Sequence, residues 1–78
     1  MRRNPQIQWR YLLNVSPDHL EVHDLDNEKN GCQINEIINA SHAKYLTEAN
    51  DENQLRVWLL RNPHYDGCRY CLPQYHRK

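Results

Sequence analysis

The sequence predicts a small α+β domain, and three observations predict it. Apolar residues fall at every second position near the start, which is the period of a half-buried strand. Apolar residues fall at helical spacing in two later segments. Two of the three cysteines form a Cys-x-x-Cys pair near the end, with the third far upstream. The predicted order is β-hairpin, short helix, strand, second helix, cysteine knuckle.

Each element has its own signal. Ile7, Trp9, Tyr11, Leu13 and Val15 alternate with mostly polar residues, and Ser16-Pro17-Asp18 supplies a turn. Leu20 and Val22 resume the alternation, with Glu21 and His23 on the opposite face, giving a hairpin of about residues 7–15 and 19–23. The acidic stretch from Asp24 reads as a loop that ends in the turn dipeptide Asn30-Gly31. Ile34, Ile37 and Ile38 then predict a helix over about 33–40, with Cys32 at its N-terminus, where the helix dipole favours thiolate. Tyr45 and Thr47 give residues 41–47 strand character. Asn50 or Asp51 caps a second helix with Gln54 in capping-box position, Leu55, Trp58 and Leu59 form its apolar stripe, and Pro63 stops it. The knuckle Asp66 to Leu72 follows, with Gly67 read as a positive-φ turn residue. Residues 73–78 read as a frayed tail, so one domain spans 1–78 with its ordered core over about 7–72.

Composition says that such a domain needs a staple. Only 38% of the 78 residues are hydrophobic, there is no Phe, and 26% are charged; mean hydropathy is −1.04. At this length an apolar core seldom gives more than about 3–5 kcal/mol. The odd cysteine count and the lack of a charged-then-apolar leader argue against a secreted disulfide framework, and no apolar run approaches membrane-spanning length. The expectation is a cytoplasmic protein in which the cysteines bind metal.

Cys68 and Cys71 can reach one tetrahedral ion, and Cys32 is the only other sulfur in the chain. A redox pair is disfavoured, because no helix opens at this Cys-x-x-Cys. Three sulfurs are one ligand short of a closed structural zinc site, so a histidine is expected to complete it. His23, at the end of the second hairpin strand, is favoured over His42. His64, His76, the Asp24 carboxylate and water are the remaining candidates, and water would leave the site open for catalysis.

Tyr11-Leu12-Leu13-Asn14, His23, Cys32 through Ile37, His42-Ala43 and Tyr65 through Cys71 resemble small bacterial and phage proteins related to the metal-binding domain of the Ada DNA-repair protein. The resemblance covers about residues 9–72. It implies one zinc held by His23 and Cys32 from the first half and by Cys68 and Cys71 from the second. Ada-like domains use four cysteines and accept a methyl group on the first. A histidine stands at that place here, so that activity is not implied, and the His23 to Cys32 gap is longer than the family's three intervening residues.

Charge is balanced but polarised. Residues 1–15 carry three Arg and no acid, residues 16–53 carry nine acids against two Lys, and residues 54–78 carry four Arg and one Lys against one Asp. The sequence-based reading is a non-enzymatic, zinc-stabilised binding module for a protein or nucleic-acid partner, acting as a monomer or small homo-oligomer. Tyr65, Arg69, Tyr70, Tyr75, His76, Arg77 and Lys78 offer a platform on which single-stranded nucleic acid would stack. A thiol-redox or metal-dependent enzyme is the alternative from another class. Phosphate loops, nucleophile elbows and EF-hand patterns are absent from the sequence.

Overall fold

The computed structural model describes residues 9–76. Four short strands form one mixed sheet in the order β3-β1-β2-β4. β1 (Tyr11–Asn14) and β2 (Glu21–Asp24) make the hairpin, and β3 (Ala43–Tyr45) pairs antiparallel with the other edge of β1. β4 (Asp66–Gly67) runs parallel to β2, with Glu21 opposite Asp66 and Val22 opposite Gly67.

The hairpin is shorter than its sequence pattern, and Ile7 and Gln8 lie outside the described residues. All four residues of β1 are buried, so the strand is not half-exposed. The reason is that the sheet is covered on both faces. Leu12, Asn14, Glu21 and His23 share one face by strand alternation and register. That face meets helix α1 (Ile34–Asn39), whose Ile37 lines a cavity with Asn14, Glu21 and His23. Tyr11, Leu13 and Val22 point to the other face, where Glu52 at the start of helix α2 (Glu52–Arg61) lies near enough to act on the Tyr11 hydroxyl.

α2 follows the sequence expectation closely. The Asp51 carboxylate accepts from Gln54 N at 2.8 Å, while the Gln54 amide oxygen accepts from Asn50 N at 2.8 Å, one residue before the reciprocal partner that a standard capping box would use. Leu55, Trp58 and Leu59 are buried, and Trp58 meets Tyr65 edge-to-face at 4.9 Å between ring centroids. Val57 and Leu60, on the opposite side, are exposed. Asn62 donates its side-chain amide to Trp58 O at 2.9 Å and closes the helix just before Pro63.

Three expectations are corrected. Cys32 is not at the start of α1: it ends a 3-10 turn over Asn30–Cys32, and Gln33, at φ 56°, separates it from the helix. Residues after Leu72 do not fray at once, since Pro73–Tyr75 forms a further 3-10 turn and Tyr75 packs against the core. Gly67 does not have positive φ. It is required for a different reason, because a Cβ there would stand 2.9 Å from Leu72 O and 2.9 Å from the Tyr75 carbonyl carbon. Gly31 is crowded by the Tyr70 ring, with the nearest atom at 2.7 Å, but that ring is half-exposed and free to swing away.

These two glycines give a paired prediction. Gly67→Ala presses on backbone and should cost about 1–3 kcal/mol, whereas Gly31→Ala meets only a movable ring and should cost clearly less. Urea denaturation of the two metal-loaded variants measures both, and equal losses would refute the backbone-crowding account.

Candidate metal centre

Three separate segments deliver four donors to one place. β2 carries His23, the 3-10 turn carries Cys32, and the loop after β4 carries Cys68 and Cys71. Cys68 N donates to Val22 O at 2.9 Å, which prolongs the β2–β4 ladder by one rung, and Leu72 N donates to Cys68 O at 2.8 Å, which closes the Cys-x-x-Cys turn. One donor atom each from His23, Cys32, Cys68 and Cys71 lies within 4.8 Å of all the others, and all four residues are buried.

The spacing can be compared with that of a bound ion. Tetrahedral bonds of about 2.3 Å to sulfur and 2.0–2.1 Å to nitrogen put two sulfurs ~3.8 Å apart and a sulfur and a nitrogen ~3.6 Å apart. The Cys32 and Cys68 sulfurs are 3.6 Å apart, and the Cys71 sulfur is 3.9 Å from His23 Nδ1. These two separations match the edges of one tetrahedral site, and the four donors lie close enough together to hold a metal ion. His23 Nε2 and the Tyr11 hydroxyl are the buried side-chain polar atoms without a hydrogen-bond partner among the described residues. An imidazole so under-satisfied by the protein, set among three sulfurs, fits a ligand better than a packing residue.

Backbone amides converge on the sulfurs. Lys29 N donates to Cys32 Sγ at 3.4 Å, Tyr70 N to Cys68 Sγ at 3.4 Å, and Asp24 N to Cys71 Sγ at 3.2 Å. Each bond favours the thiolate. Without a cation, burial and mutual repulsion forbid three thiolates at this spacing, so protons are shared unequally. Hydrogen bonding from the Cys71 thiol brings Cys68 down to about 3. The same contact, with burial, pushes Cys71 well above its usual range. Burial also raises Cys32, against the opposing Lys29 amide. That amide takes the part the sequence assigned to a helix dipole, because the left-handed Gln33 keeps Cys32 out of α1.

An outer layer fixes the loops. Arg10 grips the Asp24 carboxylate with two bonds of 3.2 and 3.1 Å, Asp24 also accepts from Asp26 N at 3.0 Å, and the Asn27 amide donates to Cys71 O at 3.0 Å. Asp24 is thus a structural partner of Arg10, and its backbone, not its carboxylate, serves the cluster.

The other sequence candidates lie elsewhere. His42 gives its carbonyl to Val15 N and lies outside the cluster, His19 and His64 are exposed, and His76 pairs with Asp66. The expected aromatic platform is only partly present. Tyr65 and Tyr75 pack against the core, His76 is engaged, and Arg77 and Lys78 lie outside the described residues, so Arg69 stacked on the half-exposed Tyr70 at 5.5 Å is what stands free. Sequence reasoning missed the Arg10–Asp24 clamp and a second grouping, Glu21, Asp66 and His76. Neither has a local motif, since each is created by strand pairing or chain return.

Removing the clamp should be felt at the cluster. Arg10→Ala should destabilise the metal-loaded protein by about 1–3 kcal/mol, because Asp24 is left buried with one amide partner. Arg69→Ala, at the exposed knuckle tip, should change stability by less than about 0.5 kcal/mol. Thermal unfolding of the two variants checks the contrast. No family model, curated protein or solved structure matches the chain, so the resemblance to Ada-type metal-binding domains rests on the quoted sequence residues alone.

Proposed function

We propose that the chain is a non-enzymatic binding module whose fold is closed by one Zn2+ held by His23, Cys32, Cys68 and Cys71. The observation that carries this reading is the closed donor set: each of the four residues is at most 4% exposed. A catalytic zinc keeps one position for water or substrate, and here a histidine occupies the fourth place. Three thiolates and an imidazole in tetrahedral array select zinc over magnesium, calcium or manganese. The metal's apparent binding energy of about 10–16 kcal/mol would act as folding energy for a chain with so lean a core.

A thiol-redox role has less support. The Cys68–Cys71 turn leads into Leu72 and the 3-10 turn at Pro73, not into a helix whose dipole would activate one thiol. Reduced cysteines and a zinc site suit a reducing compartment, so the proposal places the protein in the cytoplasm. Among the described residues no helix is long and apolar enough to cross a membrane.

The module's outward faces are for a macromolecular partner. Ile38, Tyr45, Val57, Leu60 and Tyr70 are exposed apolar or aromatic side chains. A protein partner is the leading reading, and the protein acts as a monomer or small homo-oligomer. The stacked Arg69–Tyr70 pair favours nucleic acid as a second reading, since a cation beside an exposed ring can hold a phosphate and a base together.

Native mass spectrometry should find one zinc per chain that survives desalting and leaves with a strong chelator. Chelation, or Cys71→Ser, should abolish the cooperative melt. A metal-free chain that melts as the loaded one does would overturn the structural role. Binding of single-stranded oligonucleotide that weakens steeply with salt would select the second reading, and absence of such binding at low salt would remove it.

A further inference from the structure

The parallel pairing of β2 with β4 sets two rows of donors on one sheet face. Glu21 stands opposite Asp66 in the register. Two residues further along each strand direction, His23 and Cys68 belong to the thiolate cluster. The rows are one strand period apart, about 6.6 Å. The first row is chemically odd, because like charges directly opposite on neighbouring strands destabilise a sheet. Asp66 has a side chain only 3% exposed, and Glu21 beside it is partly buried.

The chain then returns a base to this row. The 3-10 turn Pro73–Tyr75 brings His76 back, with Nδ1 at 3.0 Å from the Asp66 carboxylate and 3.1 Å from Gly67 O. The Gly67 carbonyl contact fixes the ring, as outer hydrogen bonds fix metal-binding imidazoles. One donor atom each from Glu21, Asp66 and His76 lies within 4.8 Å of the other two. They border a cavity of about 170 Å³ whose other walls are Asp18, His19 and Leu20, so a single residue of the lining lacks a metal-donor side chain. A water takes about 30 Å³, so the space admits an ion with its own waters.

We propose that Glu21, Asp66 and His76 form a second divalent-cation site, distinct from the thiolate cluster. Its two carboxylates and one imidazole suit Mn2+ or another borderline first-row ion rather than the all-oxygen preference of Ca2+ and Mg2+. Three protein ligands leave positions for water, so this site exchanges its ion with solvent while the buried cluster does not. The ion would neutralise the facing carboxylates and tie the C-terminal segment to the sheet edge.

The test uses Mn2+ as the probe on zinc-loaded protein, because three thiolates discriminate against Mn2+ and the second site is then read alone. Titration followed by the electron paramagnetic resonance signal of free Mn2+ should show one bound equivalent. Glu21→Gln and His76→Gln should each weaken that binding at least tenfold, with zinc content and the thermal melt confirming that the variants remain folded. Glu21→Asp should recover part of the affinity. No bound Mn2+ at millimolar concentration, or binding unchanged in both variants, which would mean an adventitious ion only, overturns the proposal. Zinc content measured on the same samples separates that failure from failure of the structural-zinc reading.

Discussion

Three sulfurs and one imidazole gather at one buried place, and much of the molecule is arranged around them. The donors come from a central strand, an isolated 3-10 turn and a loop beyond a two-residue strand. None of these pieces would hold its place alone. Helices of six and ten residues are too short to be stable by propensity, and the sheet is built from strands of two to four residues. The cluster and the ladder beside it tie β2 to the C-terminal loop, while β3 joins the first half through its pairing with β1.

That tie is built as much from backbone as from side chains. Each sulfur receives an amide N–H, and each amide belongs to a segment whose path is fixed by something else: Asp24 by the Arg10 clamp, Lys29 by the turn that ends in Cys32, Tyr70 by the closure of the Cys-x-x-Cys turn. The polarised charge along the sequence is partly used up here. Basic Arg10, from the N-terminal segment, sits against acidic Asp24 and Asp26 from the middle. Internal pairing accounts for these charges, and they need no distant partner.

The β2–β4 pair has a further consequence. A parallel ladder repeats its side-chain face every second residue, so whatever lies one period before His23 and Cys68 must face the same way. Those residues are Glu21 and Asp66, and burial holds the Glu21 carboxyl above its usual range, reinforced by the charges of Cys68 and Asp66. One short pairing thus places the thiolate cluster and an acid-imidazole grouping side by side. Its two residues are the least conspicuous element of the sequence and decide the most about where the chemistry sits.

Local spacing was enough to specify the second helix, the hairpin and the Cys68–Cys71 pair, because helix stripes, strand alternation and Cys-x-x-Cys are patterns of near neighbours, whereas Cys32 entered as the one other sulfur and the fourth donor stayed open. It also favoured His23 over His42 before any contact was visible. Only the tertiary structure decided that β1 is buried on both faces, that Cys32 stands outside the helix, that Gly67 is crowded and not twisted, and that Glu21, Asp66 and His76 meet. The burial of β1 and the meeting of Glu21, Asp66 and His76 depend on distant segments approaching one another, while the Cys32 turn and the crowding of Gly67 depend on backbone paths that carry no residue pattern. A two-residue strand has no period to read, and an exposed face is known only once the chain that covers it has folded back.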